Sequence, residues 1–383
     1  MRLLSGGPPR ALAFLLSVLV AACADEVDGP SDTSACTNGL TFAVLPVPMS
    51  AVSSVSPLGG MAPPVHTVPS DHGGIHINGT GVPLVSPVAM RITTINRTRY
   101  LVSPFRQGQT DYFFDARLCG SYSLRFSHII TVVDRLASQL GSDCSTYSTA
   151  NETVEACENH DANIDLAAGE SIGTVGSATS GAFDFGLYDA NNQNFFVNPG
   201  RYSGPTRTAI CPFAPYPDAI RNQLYALIET AGIRASGEAP QCGSMSVDVA
   251  GTAQGVWVQQ SNPGSQTGDE TNFLTLAPHP MYPVSKQTVS AGPAAIAALS
   301  GSPSLARYPI QSSGRVNRPF KDVSADGLIY CYVYEASPNF SYFVRLAGGV
   351  LTIQRVLHAI GLTPCNSDPS SWTFGGAALS FIR

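Results

Sequence analysis

Apolar positions along this chain fall in short runs and alternations, with helical spacing in only two places. Residues 82–87 (VPLVSP) are an apolar run that reads as a strand, and 90–96 and 99–102 read as paired strands about a turn at Arg97-Thr98. Residues 111–116 (DYFFDA) and 121–126 (SYSLRF) follow as two more, the second alternating as a half-buried strand does. The helical stripes are 130–140 (ITVVDRLASQL) and 218–230, where Ile220, Leu224, Leu227 and Ile228 line one side and Asp218 sits near a capping position. Residues 37–60 read as one short apolar strand and a Ser/Pro/Gly linker, and 141–163 as a polar, cysteine-bearing loop. From residue 244 strand follows strand (SMSVDV, GVWVQQ, NFLTLAPH and, after a loop, GRVNRPF, GLIYCYVYE, SYFVRLA, GVLTIQRVL, ALSFIR). Their turn-separated spacing predicts a small antiparallel barrel or sandwich. The fold class expected is mainly β with few helices.

Composition agrees: 36 glycines and 29 prolines make turns dense and long helices few. Charged residues are only 13% of the chain, and the net charge of −6 includes no basic run, which excludes nucleic acid as a partner because nothing is available to neutralise phosphates. Arg2 and Arg10 precede the apolar stretch 11–22, which is too short to span a bilayer and reads as an export signal. It ends Val20-Ala21-Ala22-Cys23, which resembles the bacterial lipobox; Cys23 would then carry lipid and hold the protein at the cell envelope, with 24–34 as a polar tether. An ordinary signal peptide with a small-residue cleavage site is the alternative. Without Cys23, eight cysteines remain, an even number that allows up to four disulfides in an exported chain; Cys144 with Cys157 and Cys331 with Cys365 are the expected pairs. No CxxC is present, so a thiolate zinc site is not expected.

Candidate chemistry concentrates in 66–77, where His66, Asp71, His72 and His76 precede the strand at 82–87. Imidazoles and a carboxylate beside a rigid strand suit a first-row metal. Four segments in order resemble the lysostaphin/LytM-type zinc endopeptidases, which cleave peptide cross-links of bacterial cell walls. They are His72-Gly73-Gly74-Ile75-His76-Ile77 followed by 82–87; Phe126-Ser127-His128-Ile129; Gly169-Glu170-Ser171-Ile172-Gly173-Thr174-Val175-Gly176; and Ala182-Phe183-Asp184-Phe185. The resemblance covers roughly residues 64–190. It implies a β-sandwich with a groove over zinc, His72, His76 and Asp184 as metal ligands, and His128 as a catalytic histidine. Two ligand types are exchanged relative to the family, with His76 at its aspartate position and Asp184 at its histidine position. Ala182 replaces the family's further catalytic histidine, and loss of a positioned acid/base group typically costs ~10²–10⁴-fold in rate. His66 and Asp71 are candidates to substitute for it, or else they hydrogen-bond the turn.

The expected layout is a signal peptide at 1–22, tether and linker at 23–60, a lysostaphin-like domain at 61–210, a helical connector at 211–243 and a barrel or sandwich of unassigned role at 244–383. Two functions follow: a zinc hydrolase acting on peptidoglycan peptides, or a non-catalytic envelope module that keeps the groove to bind a wall peptide or a partner protein. A binding role seated in the C-terminal half is a third. There, Trp257 is expected to fill the barrel, and His279 and His358 to be structural.

Overall fold

A computed structural model describes residues 36 and 39–383, apart from 64–65, 105, 142–143, 149–151, 178–180, 231, 265–266, 268–269, 300–306 and 336–338. The expected export signal, Cys23 and the tether at 24–34 lie outside the described residues. What is described is mainly β, in antiparallel sheets.

The N-terminal half holds β1 (Val52–Ser56), β2 (Gly73–Ile77), β3 (Val82–Val85), β4 (Met90–Val102), β5 (Thr110–Arg117) and β6 (Tyr122–Ile129). Next come β7 (Thr131–Val132), the single-turn α1 (Asp134–Ala137), β8 (Cys144–Ser148), β9 (Thr153–Asn159), β10 (Ile164–Leu166), β11 (Ser171–Val175) and β12 (Ala182–Asp189). The main sheet runs β1-β2-β12-β6-β5-β4-β9-β8, with β10 on β4; a smaller sheet runs β3-β11-β7. Alternation decides which face is inside. Ile75, Phe114, Phe126, Phe183, Phe185 and Leu187 are fully buried and share a core with Leu84, Ile172 and Val175 of the smaller sheet, so the two sheets form a sandwich. Where β11 and β7 meet, only glycine fits: a Cβ on Gly173 would lie 1.8 Å from Thr131 O.

Four segments depart from what the hydrophobic pattern predicts. Residues 90–102 are one strand with no turn, because Arg97 and Thr98 pair with β5 on one side and β9 on the other. The helix expected at 130–140 shrinks to α1, since Thr131 and Val132 are taken into the smaller sheet. The loop expected at 141–163 contains the hairpin β8–β9, in which Cys144 and Cys157 are direct cross-strand partners. The linker expected before residue 60 contains β1, the edge strand beside β2.

Cys144–Cys157 and Cys331–Cys365 are disulfides, as expected, and Cys36–Cys119 and Cys211–Cys242 complete a set of four. Four disulfides place the protein in an oxidising, extracytoplasmic compartment. Replacing Cys144 and Cys157 together by serine reopens a short loop on an edge hairpin, so about 3 kcal/mol of local stability should be lost. The expected readout is faster amide exchange in β8 and β9 with β2 and β12 unchanged.

The connector carries α2 (Gly204–Thr208), β13 (Ala209–Ile210), α3 (Asp218–Ala226) and the small hairpin β14 (Glu229–Thr230) with β15 (Ile233–Arg234). Helix α3 ends earlier than its apolar stripe suggests because Ile228 bridges Val55 of β1. In the C-terminal half β16 (Gly255–Gln259), β17 (Phe273–His279), β18 (Tyr282–Ala291), α4 (Pro293–Leu299) and β19 (Tyr308–Pro309) are followed by β20 (Tyr330–Val333), β21 (Phe340–Ala347), β22 (Val350–Leu357) and β23 (Leu379–Ile382). Eight strands run β19-β18-β17-β16-β23-β22-β21-β20. The Glu335 N–H donates to Arg307 O at 3.0 Å across the two ends, so the sheet is a nearly closed barrel. Trp257, Leu274, Leu276, Tyr308, Tyr332 and Phe381 fill it, and Trp257 Nε1 donates to Ala253 O at 2.9 Å, so Trp257 is a core residue. The stretches SMSVDV and GRVNRPF, expected as strands, are not strands, while β18 and α4 replace an expected loop. β18 escaped the hydrophobic pattern because its buried positions include Gln287, Thr288 and Ser290. A third apolar cluster joins the halves, packing Leu58, Met61 and Val68 against Val256, Val258 and Phe273.

Candidate metal centre

The outer face of the main sheet is polar where the inner face is aromatic. On β12, Asp184 lies between the core residues Phe183 and Phe185 and faces out; its neighbours in register are Gly74 on β2 and Ser127 on β6. The same face carries Asp111, Phe113 and Asp115 of β5 and Thr94, Asn96 and Thr98 of β4, which line a groove of about 500 Å³ with Ser127 and Glu158. Strict alternation would send His128, next to Ser127, into the core. It does not, because the β5–β6 ladder slips between Phe114↔Phe126 and Tyr112↔Ile129, and His128 takes a left-handed backbone with φ of 63°. Such a bulge re-aims one side chain, and a left-handed backbone at a non-glycine residue is a strained conformation held by its surroundings.

The bulge completes a row of alternating carboxylates and imidazoles. Asp71 Oδ1 lies 3.1 Å from His72 Nδ1, and His72 Nε2 lies 3.5 Å from Asp184 Oδ2. On the far side, His128 Nε2 is 3.4 Å from the same Asp184 oxygen, and His128 Nδ1 is 2.8 Å from Asp111 Oδ2. Thr206 Oγ1 donates to Asp71 Oδ2 at 2.8 Å and Ser127 Oγ donates to Asp184 Oδ2 at 2.6 Å, fixing both carboxylates. Burial pulls the His72 pKa down, but the hydrogen bond to Asp71 and the charges of Asp184 and Asp71 outweigh it, and the net shift is upward. The hydrogen bond to Asp111 is the main cause that raises His128. Burial pushes Asp71 up, but its contacts with His72 prevail and its pKa is lowered.

This row carries three carboxylates against two imidazoles, so it stays net negative even with both rings protonated. With each Nδ1–H donated to its own carboxylate, each Nε2 presents a lone pair to a carboxylate oxygen. Two such contacts repel unless a proton or a cation lies between them. Ligating histidines that donate their second nitrogen to a carboxylate are the usual outer support of a metal ion. Among the described residues, the only three potential ligand atoms within 4.8 Å of one another belong to Cys144, Glu155 and Cys157. The two cysteines there form a disulfide and offer no thiolate. His72 Nε2 and His128 Nε2 each approach Asp184 Oδ2, at 3.5 and 3.4 Å, but the three residues are not among the groups that bring three ligand atoms within 4.8 Å of one another. The donor types suit zinc, two imidazoles and a carboxylate, and both rings must close on Asp184 to share one ion.

The remaining expected residues surround the same place without joining the row. His66, His72, His76, Ala182 and Asp184 line one cavity of about 190 Å³. His76, expected as a ligand, places its Nε2 2.9 Å from Ser56 Oγ, and burial lowers its pKa. Its cross-strand partner on β12 is Ala182. His66 packs edge-on against His72, ring centroids 5.8 Å apart, with its Nδ1 3.9 Å from Glu270 Oε1. Asp71 supports His72 rather than standing free. The sequence pattern does not single out Asp111, Ser127 or Thr206 as site residues. Asp111 reaches His128 only through the bulge, and Thr206 is separated from Asp71 by 135 positions, so no local pattern reveals either. Comparison with protein-family models, with curated proteins and with solved structures gives no match to this chain.

Proposed function

We propose that the N-terminal half is a divergent lysostaphin-like cleft in which His72, Asp184 and His128 hold a zinc-type cation, and that it acts on peptides of the bacterial cell wall. The observation that carries this reading is the Asp184 carboxylate facing the Nε2 atoms of two rings whose Nδ1 atoms are tied to Asp71 and Asp111. Bound there, such a cation supplies a water acidified towards pKa ~7 and polarises a carbonyl. The chain's own residues provide the rest: Asp71 and Asp111 fix the ring tautomers, and Ser127 holds the Asp184 carboxylate in place. Anchorage at the envelope through lipid on Cys23 belongs to the same proposal.

Ala182 favours a second reading, a module that binds wall peptides without cleaving them, because it puts no acid/base group opposite His76. Metal analysis of the purified chain is expected to find about one zinc-type cation per molecule, lost in His72→Ala. An unmutated protein free of metal overturns the proposal. Incubation with purified cell wall then separates the two readings. Release of new amino groups means hydrolysis, and retention on the wall without release means binding alone.

A further inference from the structure

Glu270 belongs to the C-terminal half, yet its side chain reaches into the N-terminal cleft. It stands in a short 3-10 turn, Glu270–Asn272, immediately before β17. Its Oε2 accepts the backbone N–H of Thr67 and, at 3.1 Å, that of Val68, and its side chain is only 19% exposed. The turn is held from below: a Cβ on Gly292 would lie 2.1 Å from Glu270 O. Val68 sits in the apolar cluster that joins the halves. At the other end of the same loop Thr206 holds Asp71, which holds His72. Between these two supports lies a cavity of about 460 Å³ lined from both halves, including His66, Asp71, His72, Arg201, Thr267 and Glu270.

We infer that Glu270 is a positioning residue for loop 66–72, so that the barrel half forms the outer wall of the cleft and fixes the approach of His72 to Asp184. A carboxylate accepting two backbone N–H groups makes strong, charge-assisted bonds, and removing it leaves those donors unmatched in a mostly buried place. The consequence for metal affinity rests on the proposed function; the restraint on the loop does not.

The test uses the full chain with Glu270→Ala and Glu270→Gln, read by residue-resolved hydrogen exchange and by Zn²⁺ titration calorimetry. In Glu270→Ala, Thr67 and Val68 should exchange at least ~10-fold faster while β21 and β22 keep their protection. Zn²⁺ affinity should fall ~10–100-fold, the usual effect of losing a group that orients a ligand. Glu270→Gln keeps an oxygen acceptor and should restore both readings to within ~3-fold. Unchanged exchange at Thr67 and Val68 in the alanine variant overturns the inference, as does an equal loss of protection in β21 and β22. A wild-type chain that binds no Zn²⁺, with Thr67 and Val68 still loosened by Glu270→Ala, upholds the inference and overturns the metal reading instead.

Discussion

Replacing Asp184 by alanine is expected to lower the affinity of the chain for Zn²⁺ at least ~100-fold, beyond the range seen when only supporting groups are lost. Among the described residues Asp184 is the carboxylate that both Nε2 atoms approach, so its removal takes away the proposed shared ligand and the charge that draws the rings together. The fold should survive, because Asp184 faces outward while the Phe183 and Phe185 rings on either side of it stay in the core. Calorimetric titration with Zn²⁺, alongside a melting curve, checks both halves of this statement. Because the carboxylates keep His72 and His128 protonated to higher pH than usual, Zn²⁺ uptake should release protons and weaken as the pH falls. Wild-type affinity in Asp184→Ala contradicts the proposed centre.

How much of this site could be read beforehand depends on the residue. Asp184 was legible: alternation puts it opposite two phenylalanines, and the structure has both rings fully buried with the carboxylate on the outer face. Its nearness to His72 follows from β2 and β12 being neighbours, an arrangement that the resemblance to the lysostaphin-type family implies. His128 was legible as a residue of interest but not in its placement, which depends on a bulge and a left-handed backbone that no local pattern encodes. The same limit hid β18, whose polar side chains are buried because Gln287 donates to Asn317 O and Arg318 O and accepts from the Phe320 N–H. Glu270 lay further out of reach, 203 positions from the Thr67 amide it accepts.

Acid should destabilise the barrel half through His279, by about 3 kcal/mol between neutral pH and pH 4. The side chain is fully buried at the end of β17; its Nδ1 accepts the Met281 N–H at 3.1 Å, and its Nε2 is buried with no hydrogen-bond partner among the described residues. Burial, helped by Arg307 and Lys286 and opposed by Glu335 and Glu238, pushes its pKa down from 6.5 to about 4. The unfolded chain therefore takes a proton near pH 6.5 that the folded chain refuses until about pH 4. The stability is fully present above pH 6.5, is lost as the pH falls from there to about 4, and changes no further below it. His279→Asn, which keeps an acceptor for Met281 and does not titrate, removes this contribution. Denaturant unfolding of both proteins between pH 4 and pH 7 should show the wild type losing about 3 kcal/mol more than the variant. Parallel profiles would contradict the assignment.

The proposed centre requires that one cation be shared by side chains from the loop before β2, from β12 and from the bulge in β6. Anomalous diffraction at the zinc edge, on crystals of the full chain grown with Zn²⁺, tests it most directly. A single strong peak is expected ~2.0–2.2 Å from His72 Nε2, His128 Nε2 and an Asp184 oxygen, the usual zinc distances. A crystal with no peak there, or with zinc only on exposed carboxylates elsewhere, contradicts it.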